Sequence, residues 1–257
     1  MKTVEFGKQN NDVIMLLHGG GLSWWNYKAE AELLKDQYHV VLPILDGHAG
    51  SDNDFISIEK NASRLISFID KEFGGSVLLI GGLSLGAQIL VEILAQRNSI
   101  CQNAVIESAS VIPSRLTNAL IKPTFSLSYG LVKKKWFAQM QFDYLHIRKD
   151  LFEDYYRDTS QISKENMIAF LEANTSYEIK PSLQDVHAKV HIVVGEKEQK
   201  KMICSAEQLH KALPGSILEI KKGLYHGEYS INYPEEYTKE LLDMICYISS
   251  NSSSVVL

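Results

Sequence analysis

Residues 78–90 read LLIGGLSLGAQIL, and their reading decides the fold. An apolar run ends at Gly81-Gly82, a single serine follows at Ser84 between two leucines, and after Gly86 the chain resumes as a helix-compatible segment. A buried strand therefore turns into a helix within a few residues, with a serine at the corner. Ser84 is either a helix N-cap or a hydroxyl held out of a strained turn. Gly82-Leu83-Ser84-Leu85-Gly86 fits G-x-S-x-G, which is weak as a bare pattern and gains meaning from its strand–turn–helix setting. An N-cap does not need glycine two residues away on both sides. A strand and helix brought so close that no Cβ fits between them does.

The rest of the chain repeats this alternation. Short apolar runs lie at Val13–Leu17, Tyr38–Leu42, Val77–Ile80, Ala104–Ile106, Val190–Val194 and Ser216–Ile220. Continuous runs without polar alternation are what strands covered on both faces look like. Helix-like segments lie between them near 25–36, 59–72, 85–97, 204–212 and 234–248, the last opening with Pro234 and two glutamates. The expected class is α/β, a mostly parallel sheet flanked by helices. From Pro113 to Val186 no strand pattern occurs, only aromatic-rich helical pieces. The expected division is a core of 1–112 and 187–250, a helical cap insertion of 113–186 over the carboxyl ends of the strands, and a frayed Ser-rich tail of 251–257.

Composition narrows the function. The chain has 257 residues, 45% of them hydrophobic, enough for one sizeable core. Its net charge of −5 offers no broad basic field, so neither nucleic acid nor an anionic lipid surface is expected as partner. The 3 cysteines are scattered without C-x-x-C spacing, which argues against a zinc knuckle or disulfide framework and fits a reduced, cytoplasmic setting. No signal-like N-terminus and no run of about 18 apolar residues is present, so no membrane span is expected. The oligomeric state is not readable.

A serine nucleophile needs a base, and the base needs an orienting acid. His226, in GLYHGEYSINYPEE, follows the last apolar run and precedes the last helix, on a loop at a strand's carboxyl end. His18 and His48 sit in glycine turns and read as loop-holding residues. Glu198 lies three residues past Gly195, after the run at 190–194, giving the chain order Ser84, Glu198, His226. Glu196 and Glu107 are the competing acids. His18-Gly19-Gly20-Gly21 ends the first run; the N–H of Gly20, or of Gly21, together with that of Leu85, would bind an oxyanion. No phosphate-loop or dinucleotide spacing follows a strand, and neither metal nor cofactor is expected.

Taken together, LLHGGGLSWWNY (16–27), ILDGHAGSD (44–52), GGLSLG (81–86), VVGEKE (193–198) and GLYHGEYSINYPEEY (223–237) resemble the α/β-hydrolase superfamily in the right order. Over 113–186 the resemblance is positional only, as a cap. It implies a serine hydrolase, carboxylesterase-like, with a small-molecule acyl substrate. Two departures stand out: Glu198 takes the place of the usual aspartate, and DGHAGS lacks the proline and second glycine usual in that loop. Gly21, Trp24, Trp25, Leu83, Trp136, Phe137, Met140 and Leu224 are the expected pocket lining. Arg115, Arg148 or Arg157 pointing inward would favour an acidic substrate. The alternatives are a menaquinone-pathway-type lyase or C–C hydrolase on the same residues, and a non-catalytic small-molecule receptor.

Overall fold

Seven strands form one sheet in the order β1-β3-β2-β4-β5-β6-β7. They are β1 (Thr3–Phe6), β2 (Val13–Leu17), β3 (His39–Pro43), β4 (Val77–Leu83), β5 (Cys101–Glu107), β6 (Lys189–Gly195) and β7 (Ile217–Lys221). All neighbours pair parallel except β1, which runs antiparallel to β3. This computed structural model describes residues 1–252, with side chains through Cys246.

Period-two alternation splits the strand side chains between two apolar layers. In β2, Val13, Met15 and Leu17 face one layer, and Ile14 and Leu16 face the other. The first layer is closed by α2 (Ile58–Phe73), α3 (Leu85–Gln96) and α8 (Lys200–Ala212), the second by α1 (Lys28–Leu34) and α10 (Pro234–Ser252). Helix α2 shows why such segments are helical. Ile58, Ala62, Leu65, Ile66 and Ile69 recur on one buried face, Ser57 caps the start by accepting the Lys60 N–H, and Gly74 closes the end at φ 68°. Each of the fully buried aliphatics contributes roughly 1.5–3 kcal/mol.

Strand β1 is not in the sequence expectation. Thr3-Val4-Glu5-Phe6 alternates polar and apolar, is half-buried throughout, and borders a single strand. An edge strand of that kind lacks the continuous apolar run by which the others are read. Between β5 and β6 no strand occurs among the described residues. The chain there forms α4 (Arg115–Val132), α5 (Lys135–Tyr144), α6 (Phe152–Thr159) and α7 (Lys164–Ser176), with 3-10 turns at Lys149–Leu151 and Pro181–Asp185. The short α9 (Glu228–Asn232) precedes α10. The tail expected over 251–257 begins inside α10, and 253–257 lies outside the described residues.

Candidate active site

Ser84 stands between the last residue of β4 and the first of α3, at φ 54° and ψ −111°. For a residue with a Cβ this left-handed region costs on the order of 1–3 kcal/mol. The turn is held by its surroundings: the Ser84 N–H donates to the Glu107 carbonyl at 2.9 Å, and its own carbonyl accepts the Gln88 N–H at 2.9 Å. The two flanking glycines are sterically required. A Cβ on Gly82 would lie 2.6 Å from the Gly86 carbonyl oxygen, and one on Gly86 would collide with the carbonyls of Leu17 and His18. The Ser84 side chain makes no capping bond. Its Oγ instead lies 3.0 Å from Nε2 of His226.

The other nitrogen of His226, Nδ1, is 2.6 Å from Oε2 of Glu198. Glu198 Oε1 accepts two further bonds, from Ser108 Oγ at 2.6 Å and from the Gly195 N–H at 2.8 Å. Burial raises the Glu198 pKa, but these donors and His226 outweigh it and hold the carboxyl below its ordinary value. Burial likewise pulls the His226 pKa down, and its hydrogen bond to and attraction by Glu198 outweigh that, leaving the imidazole above its ordinary value. Glu107 does not reach the imidazole. One of its oxygens accepts the Ser230 N–H at 3.2 Å, the other has no partner, and burial pushes its pKa to about 7. Glu196 is exposed and accepts the Gly223 N–H.

The glycine loop after β2 reaches the same place. A Cβ on Gly20 would meet the Leu85 Cβ at 3.5 Å. The Leu85 N–H, at the first position of α3, is one of the donors a helix leaves without a partner. Gly21 donates its N–H to Nε2 of His48 at 3.1 Å. Of the two glycines weighed from sequence, Gly20 is thus the one whose N–H is not already engaged among the described residues. His18 and His48 hold this loop. His18 Nδ1 donates to the Gly19 carbonyl and its Nε2 accepts the Leu45 N–H; His48 Nδ1 donates to the Asp46 carbonyl. Burial drives the His18 pKa well below its ordinary value and that of His48 to about 4, so both rings are neutral.

Three cavities converge here. The first, about 60 Å³, is lined by Gly19, Gly20, Leu83, Ser84, Leu145 and His226 among others. The second, about 560 Å³, runs from Gly20 and Gly21 beneath the α4–α7 helices past Phe125, Val132, Met140 and Phe170. The third, about 350 Å³, is lined by His226, Glu198, Lys197, Tyr225 and Met202 among others. Leu145 borders all three.

Of the expected lining, Leu83, Gly21 and Met140 face these cavities, and Trp24, Trp25, Trp136, Phe137 and Leu224 do not. Trp25 is buried and donates its indole N–H to Asp158 at 2.8 Å, and Trp24 and Leu224 pack on the α1/α10 layer. Trp136 is 63% exposed on the outer side of α5, edge-on to Phe137. The three arginines also stay outside. Arg157 pairs with Asp154 and Asp158, Arg148 lies 3.6 Å from Asp150, and Arg115 is exposed. Ser108 and Leu145 were missed. No sequence signal marks either, because their roles depend on where β5 ends and how α5 packs.

Away from these cavities, His191, Glu219 and Glu240 bring ligand atoms within 4.8 Å of one another. The Lys221 ammonium already sits 2.8 Å from Glu219 and 2.7 Å from Glu240, so a cation of the protein's own already pairs with both carboxylates of that cluster.

A model of the alpha/beta hydrolase family matches residues 14–236, and the chain belongs to that family. Solved structures with the same fold include an esterase from Thermogutta terrifontis (15% identity, 96% of this chain and 93% of that one, TM-score 0.78). An esterase from Exiguobacterium antarcticum (17%, 95% and 94%, TM-score 0.79) is similar to the same degree. So is MenH from S. aureus (17%, 96% and 97%, TM-score 0.74). At these identities the likeness is one of fold. The sequence matches no curated protein.

Proposed function

We propose that the protein is a serine hydrolase that cleaves a carboxylic ester of small or medium size through an acyl-enzyme on Ser84. The observation that carries this reading is the unbroken chain Ser84 Oγ, His226, Glu198, with contacts of 3.0 and 2.6 Å. In this mechanism His226 Nε2 removes the Ser84 proton as Oγ attacks the acyl carbon. Ionised Glu198 fixes the Nδ1–H tautomer and stabilises the imidazolium. The N–H groups of Gly20 and Leu85 bind the oxyanion, an interaction worth roughly 3–4 kcal/mol per donor. His226 then protonates the leaving alcohol, and water repeats the sequence with His226 as base to release the acid.

The mostly apolar lining of the 560 Å³ cavity supports an apolar acyl group, with the helices of 113–186 acting as its cap. A lyase acting on an acidic substrate would be favoured by arginines in the cavities, and Arg115, Arg148 and Arg157 line none of them. The test is hydrolysis of p-nitrophenyl butyrate together with labelling by a fluorophosphonate. Both are expected from the wild type and lost in Ser84→Ala. Binding of small esters without turnover or labelling would instead make the protein a receptor on a hydrolase scaffold.

A further inference from the structure

Among the described residues, the largest concentration of exposed apolar side chains lies on α4 and α5. Seven of the twelve large hydrophobics that face solvent among the described residues come from this stretch: Leu116, Leu120, Leu127, Leu131, Trp136, Met140 and Tyr144. On α4 the four leucines are spaced by 4, 7 and 4 residues, which at about 100° per residue places them within an arc of about 60°. Leu127 is 92% exposed and Tyr144 77%. On α5 the other three recur every fourth residue, so each helix carries its own stripe. Exposed apolar area contiguous beyond a few hundred Å² marks an interaction surface.

The charges of the same stretch are of one sign. Arg115, Lys122, Lys133, Lys134 and Lys135 fall between Pro113 and Phe142, and no acid occurs before Asp143, in a chain of net charge −5. Lys135 is paired with Glu153, and Lys133 lies over the Tyr129 ring. Arg115, Lys122 and Lys134 are exposed and carry no ion pair among the described residues. An apolar stripe on one exposed flank with long basic side chains on the other is the pattern of a helix lying in the plane of a membrane interface, its cations snorkelling to the headgroups. A second copy of this chain fits less well, since a twofold contact would set this basic face against itself.

We infer that the α4–α5 face docks on an anionic lipid surface. The chain-wide charge, which gave no reason to expect a lipid partner, conceals this local field. Met140 and Tyr144 belong both to the exposed stripe and to the wall of the 560 Å³ cavity, so the docked face and the cavity mouth adjoin. Delivery of an acyl chain from the bilayer rests on the hydrolase reading; the docking does not.

The test is co-sedimentation with vesicles of phosphatidylcholine alone and of phosphatidylcholine mixed with phosphatidylglycerol, with turnover of a short soluble ester measured in parallel. The protein is expected to sediment with the anionic vesicles and only weakly with the neutral ones. Each cation near such a surface strengthens binding about fivefold, so Lys122→Glu with Lys134→Glu should weaken it at least about tenfold, as should high salt. Leu120→Glu with Leu127→Glu should abolish it while turnover of the soluble ester persists, which also reports that the variant is folded. No sedimentation of the wild type, sedimentation indifferent to the leucine pair, or a lipid-free dimer broken by that pair would overturn the inference. Absence of ester turnover in a wild type that still binds vesicles would count against the hydrolase reading alone.

Discussion

Ser108 donates its hydroxyl to Oε1 of Glu198 at 2.6 Å, and it does so from a left-handed backbone at φ 56°. Two consecutive residues at the end of β5 thus serve different ends. Glu107 turns toward α9, and Ser108 turns toward the carboxylate that faces His226. The bond fixes Glu198 from behind and favours its ionised form. Ser108→Ala is expected to lower kcat several-fold with KM little changed, since the lost bond matters most when the imidazolium forms. Ser108→Thr, which keeps the hydroxyl, should recover part of the loss.

The two buried acids should separate cleanly by mutation. Glu198→Gln leaves the shape and removes the charge at Nδ1 of His226; a loss of about 10⁴-fold in kcat is expected, as for triads of this type. Glu107→Gln should stay within a few-fold of wild type, because Glu107 bonds the Ser230 backbone and not the imidazole. Steady-state kinetics on a p-nitrophenyl ester checks both, and equal losses would remove Glu198 from its proposed role.

In the proposed mechanism His226 must be neutral to accept the Ser84 proton, and Glu198 raises its pKa. As pH falls through that raised pKa the base is lost, so the acid limb of kcat/KM should have its midpoint above the ordinary histidine value of about 6.5. For stability the sign is opposite. A raised histidine pKa contributes below the unfolded value, and that contribution fades as pH rises through the folded one. A pH–rate profile reads the first effect and denaturant titrations at several pH values the second.

His48 works the other way. Its folded pKa of about 4 lies below the unfolded value, so the unfolded chain binds the extra proton. Its contribution is complete above about pH 6.5 and is lost progressively as pH falls toward 4, by on the order of 3 kcal/mol. His18 adds in the same direction. Urea midpoints should therefore drop between pH 7 and 5. A His48→Gln variant should be less stable at pH 7 and show a flatter pH dependence.

Leu145 borders all three cavities, and a larger side chain there narrows the path between Ser84 and the 560 Å³ space. Leu145→Trp is expected to reduce kcat/KM for a p-nitrophenyl octanoate about tenfold or more while sparing the acetate. A uniform loss across chain lengths would mean that the acyl group lies elsewhere.

How much of this was legible in the chain depended on how local the cause was. The elbow at Ser84 is written in consecutive residues, because Gly82 and Gly86 answer to backbone atoms a few residues away or on the adjoining strand. The five inner strands were legible because burial on both faces leaves no polar alternation; of the two edge strands, β7 was legible from its apolar run Ile217-Leu218 with Ile220, and the four-residue, alternating β1 was not. Glu198 and His226 could be placed by their position after β6 and β7. The cavity walls could not. Whether Trp136 points inward or out depends on the rotation of α5 against α4 and α6, and an amphipathic pattern does not fix that when both sides of a helix are apolar. The same ambiguity hid Leu145.

The contact of Gly86 with the Leu17 and His18 carbonyls is made of main-chain atoms on both sides. Elbow and glycine loop thus meet with no room for a side chain between them. Variation is left to the helices above, whose contacts with the centre are almost all through side chains. On the proposed reading, exchanging residues 113–186 would change the substrate range while the spacing of Ser84 and the glycine loop stays as it is.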